Sequence, residues 1–233
     1  MYSMDLNSNE TTTNCSSTTF YCGYAPNISW EIRGPASFYM IIGLTRVMVS
    51  FPTIILNALI ILAIKQRKEL QKPSNILLSS MAVTDLLVGA ITIPTSATID
   101  FFMLGQVSLE LTCMLYSVNR FFLPSLFLVT LHHFTIIAWE RYVAVQKWMD
   151  YKLIITNGRL KKIAIGTWLS AIFPVTANFI TKAFVVDPRI SNGFLTGRTV
   201  VETVCLFLAV FFYRKVYLGI RNRKLTTSLK STS

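Results

Sequence analysis

Five long apolar stretches, at about 37–64, 76–99, 111–139, 163–185 and 199–220, leave this chain few folds to choose from. Each meets or exceeds the roughly 20 residues a helix needs to cross ~30 Å of hydrocarbon. The cleanest is Val47–Ile64, with no charged residue at all. A helix of a soluble protein would show a polar face recurring about every 3.6 residues, whereas these runs are apolar on nearly every side. Membrane-spanning strands would be about 10 residues long and would alternate in polarity. Composition agrees, with 52% hydrophobic and only 14% charged residues. The expected fold is an all-α membrane protein. A five-helix bundle over 37–220 lies between a tail at 1–36 and a basic tail at 221–233.

The net charge of +11 could suggest nucleic acid as a partner, but its distribution argues against that. Lys and Arg number four within Lys65–Lys72, six within Arg141–Lys162 and six from Arg214 onward, and the loop between the second and third stretches has none. Basic residues beside spans stay in the cytoplasm. The N-terminus is therefore expected outside and the C-terminus inside. Met1–Asn14 is polar and lacks the apolar core of a secretory signal, so the first span must serve as one. Asn9, Asn14 and Asn27 each open an Asn-x-Ser/Thr acceptor for glycans, and no other such triplet occurs in the chain. All three fall on the side that the charge rule places outside. Cys15, Cys22 and Cys113 share that oxidising side, with their pairing open, and Cys205 lies in mid-span.

Local punctuation refines the outline. Residues 1–35 are rich in Ser, Thr and Asn and offer little to pack. Lys65–Asn75 reads as a tight inner hairpin, with Pro73-Ser74-Asn75 opening the second helix in the manner of an N-cap. Pro94 and Pro124 fall inside spans and should bend them, widening the outer half of the bundle. Asp187-Pro188 and Asn192-Gly193 are turn signals, so 186–198 is expected to be a short outer loop. Asn222–Ser233 carries no structural signal.

Polar residues in such runs are the functional candidates, because a charge in hydrocarbon is costly. Asp85 stands in the middle of the second stretch, and Glu140-Arg141-Tyr142 ends the third. Asn57 and Trp168 mark the first and fourth. Arg198 and Glu202, one helical turn apart, form either an intrahelical ion pair or a ligand contact. Asn119 and Arg120 are further candidates to line a pocket. His132 and His133 point about 100° apart on a helix and cannot share one ligand face, so no metal site is expected.

Taken together, these landmarks carry a family resemblance. The stretches "LNALIILAI" with Asn57, "MAVTDLLVGAITIP" with Asp85, "IIAWERYVAV" with Glu140-Arg141-Tyr142, "IGTWLSAIFP" with Trp168 and "VFFYRKVYLGIRNR" with Tyr213 resemble those of rhodopsin-like (class A) G-protein-coupled receptors over about residues 40–220. The separations, 28 residues from Asn57 to Asp85 and 27 from Arg141 to Trp168, also fit. The resemblance implies a rhodopsin-like helix bundle truncated after the fifth transmembrane helix. It further implies a non-enzymatic plasma-membrane receptor and transducer, glycosylated outside, that binds an extracellular ligand and signals through a heterotrimeric G protein.

For individual residues, the resemblance makes Glu140, Arg141, Tyr142 and Tyr213 the G-protein coupling and activation switch. Asn57, Asp85 and Thr130 become a polar core that can hold a sodium ion, with no other cofactor expected, and Trp168 becomes a packing landmark. Leu123 stands where amine receptors carry an aspartate, which disfavours an amine ligand. There are departures. Tyr116 takes the place of the family's cysteine in the third span, with Cys113 three residues earlier, and Cys205 takes the place of a proline. No sixth or seventh helix follows, so signalling by these 233 residues alone is not expected. One alternative is a truncated, non-signalling form that pairs with intact receptors in a dimer. The other is a five-span transporter, for which the paired half-helices broken at mid-membrane are missing.

Overall fold

The computed structural model describes residues 35–184 and 188–231, and every regular element among them is helical. α1 is Ala36–Gln66, followed by a 3-10 turn, Lys68–Leu70. The second span is α2, Pro73–Leu87, then a π-helical turn, Val88–Thr92, then α3, Ile93–Gly105. The third span is α4, Leu109–Gln146, and a single helical turn, α5, Tyr151–Ile154, leads to α6, Asn157–Phe184. α7 is Pro188–Ser231. Five of these units are long and apolar enough to cross a membrane: Ala36–Gln66, Pro73–Gly105, Glu110–Gln146, Asn157–Thr181 and Asn192–Arg223.

Three local expectations are corrected. The segment from Pro188 to Arg198 is not a loop but the first turns of α7. Proline suits the first helical position, where its missing N–H costs nothing, so Asp187-Pro188 announced a helix start. Asn192 and Gly193 are carried inside that helix, and the Thr196 hydroxyl donates to the Asn192 carbonyl at 2.9 Å. The C-terminal segment is likewise helical as far as Ser231. At the start of α2, Pro73 is again the first helical residue and no side chain caps the end. Asn75 instead donates backward to the Leu70 carbonyl at 2.7 Å, closing the hairpin.

Pro94 is accommodated just after the π turn. A proline within a helix frees the carbonyl one turn back. Here the chain takes up one extra residue, and the Ile93 N–H donates to the Val88 carbonyl five positions earlier. α4 starts more conventionally: the Ser108 hydroxyl caps it by accepting from the Leu111 N–H at 3.3 Å, with Glu110 in the first turn.

α4 is the hub, packing against α2, α3, α6 and α7, while α1 packs on α2 and α3. Hydrocarbon supplies no hydrophobic drive between helices, so cohesion comes from close packing and from hydrogen bonds between spans. Gly89 shows the first. A Cβ there would lie 3.0 Å from Ile54 Cγ1, and the missing side chain lets Ser50 Oγ donate to the Gly89 carbonyl at 2.7 Å. Gly219 does the same where α7 crosses the end of α4: a Cβ would lie 2.7 Å from Gln146 Nε2 and 2.9 Å from Val145 Cγ1. Met48, Phe173 and Phe207, each more than 70% exposed, face outward where lipid would cover them. Span hydroxyls such as Thr53, Thr98, Ser125 and Thr176 donate to the carbonyl four residues back, which satisfies them without water.

Candidate functional site

Three polar centres lie along the bundle, each held by α4. The first is at the end where α4 meets the α4–α6 connection. Glu140 is buried, 2% exposed, beneath a core of Leu77, Val143, Ile155, Leu160 and Ala164. A buried carboxylate requires partners. Tyr151 Oη donates to Glu140 Oε1 at 2.6 Å, and Arg141 Nε stands 3.4 Å from Glu140 Oε2. The Arg141 side chain is nevertheless 55% exposed, so its guanidinium is paired on one edge and open on the other. Burial, and then the bond to Glu140, push the Tyr151 phenol up to about 12. Tyr142 packs its ring against Phe212 of α7 at 5.6 Å between centroids. Tyr213 points outward, exposed, and bonds to none of these three among the described residues.

The second centre lies in mid-bundle. Asn57 Nδ2 donates to the carbonyl of Thr53 in its own helix at 2.9 Å, not to Asp85. Among the described residues no hydrogen bond joins Asp85, Asn57 and Thr130, which the resemblance groups as one polar core. For a sodium ion, Asp85 and Thr130 offer side-chain oxygens, with no hydrogen bond between them among the described residues.

The hydrogen bonds form instead around Ser80, two helical turns before the π turn. His133, fully buried on α4, lies with Nδ1 at 2.8 Å from the Val129 carbonyl and Nε2 at 2.9 Å from Ser80 Oγ. Trp168 Nε1 on α6 donates to the same oxygen at 3.1 Å. The proton positions follow. A carbonyl only accepts, so Nδ1 carries the hydrogen and Nε2 must accept. The indole only donates, so Ser80 Oγ accepts from Trp168 and donates to His133. All partners are satisfied with a neutral imidazole, and three spans are tied at one point. Trp168 also packs against Leu128, Val129 and Ala171. His132 turns to Ser170 Oγ, 3.1 Å away, on another side of α4.

The third centre is at the opposite end. A cavity of about 580 Å³ opens between α4, α6 and α7. Its walls include the apolar side chains of Leu123, Phe127, Pro174, Phe179 and Leu195 together with Tyr116, Asn119, Arg120, Asn192 and Arg198. Arg198 Nε and Glu202 Oε1 are 3.0 Å apart, but the N–H is not directed at the oxygen, so the pair is an ionic contact without a hydrogen bond. Glu202 itself does not line the cavity. Behind the wall, Asn119 Nδ2 donates to Ser96 Oγ at 2.9 Å. Arg46 of α1 pairs with Asp100 and donates to the Ser96 carbonyl at 3.2 Å. Cys113, near the start of α4, is disulfide-bonded, whereas Cys205 is free. Asn9, Asn14, Asn27, Cys15 and Cys22 lie outside the described residues.

Residues 56–224 match the model of the 7 transmembrane receptor (rhodopsin family). The chain belongs to that family, the rhodopsin-like G-protein-coupled receptors. Among similar curated proteins, the 5-hydroxytryptamine receptor 1E of Cavia porcellus is 31% identical over 143 residues, covering 58% of this chain and 36% of the relative. Olfactory receptor 52B4 of Homo sapiens is 30% identical over 131 residues, 54% of this chain and 40% of its own length. The 5-hydroxytryptamine receptor 1B of Mus musculus is 24% identical over 203 residues, 79% and 49% respectively. The chain thus matches less than half the length of each of these rhodopsin-family relatives.

Within the rhodopsin-family bundle, sequence reading missed Ser80, Tyr151 and the Arg46–Asp100 pair. Arg46 is a charge within the first apolar stretch and gave the same signal as Asp85, whereas Asp100 stands just past the end of the second. Ser80 and Tyr151 gave none, because a serine in a span and a tyrosine in a loop are unremarkable until their partners are known.

Proposed function

We propose that the chain forms the ligand-sensing and coupling core of a receptor with its N-terminus outside the plasma membrane and its C-terminus inside. A ligand entering from outside would occupy the cavity beside Leu123, and a heterotrimeric G protein would dock at the Arg141 end. The observation that carries this reading is the state of Arg141. It is tethered to a buried carboxylate by one edge and exposed on the other, at the end where the basic residues of α1, α6 and α7 also gather. Because Glu140 is shared between Arg141 and Tyr151, weakening either contact changes how the arginine is presented. Ligand at the far end would act by favouring one of two arrangements of the helices that meet there. A sodium ion near Asp85, with Thr130 as second donor, is part of the same proposal. It would add positive charge beside the carboxylate in the resting arrangement.

Recruitment of a fluorescent G protein to the membrane tests the coupling role. Cells express the chain or its Arg141→Ala variant, alone and together with the helices that longer family members carry after the fifth. Recruitment that depends on Arg141 in either setting supports the proposal. Recruitment in neither setting, with the chain demonstrably at the cell surface, refutes it.

A further inference from the structure

The cavity at the Arg120 end is lined by two guanidinium groups and by no carboxylate among its lining residues. They are not equivalent. Arg198 has Glu202 against it, so that pair is close to neutral. Arg120, which is exposed, has no hydrogen bond and no ion pair among the described residues, so its charge at the wall has no protein partner there. Asp100 of the second span is paired with Arg46. A lone cation beside an apolar wall is a poor host for an ammonium group, since like charges repel. It is a good host for a carboxylate, which a guanidinium can grip with two parallel N–H bonds.

The remainder of the wall fixes the body of such a ligand. Leu123, Phe127, Pro174 and Phe179 give an apolar and partly aromatic surface, and about 580 Å³ is the size of a small-molecule site. Asn119 adds one directional feature. Ser96 Oγ already donates to the Thr92 carbonyl at 2.8 Å, so it can only accept from Asn119. That fixes the amide with Nδ2 toward Ser96, and leaves Asn119 Oδ1 a buried acceptor without a partner.

Resting on the receptor reading above, we infer that the ligand is a monoanionic amphipathic acid whose carboxylate binds Arg120 and whose apolar body lies against Leu123 and Phe127. The site is therefore opposite in charge preference to one built for an amine. This distinguishes the chain from relatives whose names specify 5-hydroxytryptamine, an amine.

The test uses three probes sharing one ring system: indole-3-propionate, its primary amide, and tryptamine. Each is titrated against the full chain in lipid nanodiscs, with saturation-transfer NMR as readout. The acid should bind at least about tenfold more tightly than the amide and more tightly still than tryptamine. Arg120→Gln should erase the acid's advantage, Arg120→Lys should keep part of it, and melting of the unliganded variants should show that both fold. Tryptamine binding as tightly as the acid would overturn the anion preference yet leave a ligand-binding receptor standing. Binding of the acid unchanged in Arg120→Gln would overturn the role of Arg120. Binding of none of the three would count against the acid and against the cavity as a ligand site, without touching the G-protein result.

Discussion

Replacing Ser80 by alanine removes one hydroxyl and unties three spans. The structure allows the cost to be bounded. Trp168 Nε1 loses its acceptor and His133 Nε2 its donor, in a site where His133 has no exposure. An unsatisfied buried polar group costs roughly 1–3 kcal/mol in a water-soluble protein. In a membrane the unfolded helices also find partners for these groups. Measured couplings between spans therefore average only about 0.6 kcal/mol, with a maximum near 1.7. The lower scale should win here, because each span keeps its helical form when the bundle comes apart. The expected coupling between Ser80 and His133 is thus about 0.6–1.7 kcal/mol, roughly a 3- to 20-fold change in the unfolding equilibrium. Thermal unfolding followed with a thiol-reactive dye suits the purpose, because Cys205 is a free, half-buried thiol in mid-span. Ser80→Ala, His133→Leu and the double variant complete the cycle. Additive effects, with no coupling outside error, would show that the bond network does not hold the spans, and that packing around Leu128 and Ala171 does so alone.

The pH behaviour of Tyr151 gives a second expectation. Its folded pKa is raised above the ordinary tyrosine value, so the stability it contributes is intact below about pH 10 and is lost as pH climbs through about 12. Glu140→Gln should bring its ionisation part of the way back down, since burial, the larger cause, persists; the measurement is ultraviolet phenolate absorbance with Tyr151→Phe subtracted, and an unmoved titration would remove Glu140 as a cause. Two glycines of α7 should respond in opposite senses. At Gly193 nothing lies within 4 Å of an added Cβ, so Gly193→Ala should raise stability by about 0.5–1 kcal/mol through helix propensity. At Gly219 the clash with Val145 should outweigh that gain and lower stability by roughly 1 kcal/mol, so a Gly219→Ala melting temperature at or above the parent's would contradict the close crossing.

What the sequence could reveal depended on whether the signal was carried locally. The spans were readable because hydrocarbon imposes one rule, an unbroken apolar run, on every residue of a helix. Glu140 and Arg141 were readable because a charge at such a position is conspicuous by itself. Ser80 was not, since its partners are 53 and 88 residues away and a serine hydroxyl in a span is usually bonded to its own helix. The start of α7 was misread for a different reason: Pro and Asn-Gly permit a turn without requiring one, and a proline also opens helices. Asn57 and Asp85, grouped by the resemblance, share no hydrogen bond among the described residues, because an amide near a carbonyl of its own helix can be satisfied there, at no cost in alignment between spans.

The π turn at Val88–Thr92 has a consequence for how the second span is compared with others. One additional residue within a helix rotates everything beyond it by about 100° relative to an uninterrupted count. Ser96 and Asp100, which hold Asn119 and Arg46, therefore owe their facing to that local widening as much as to their place in the chain. Removing a single residue between Val88 and Thr92 would leave the length and greasiness of the span almost untouched while turning both side chains away from their partners. A relative differing here by one residue would thus take the partners of Asn119 and Arg46 away even if every residue lining the cavity were identical, a change that a count of matching positions would register as one gap.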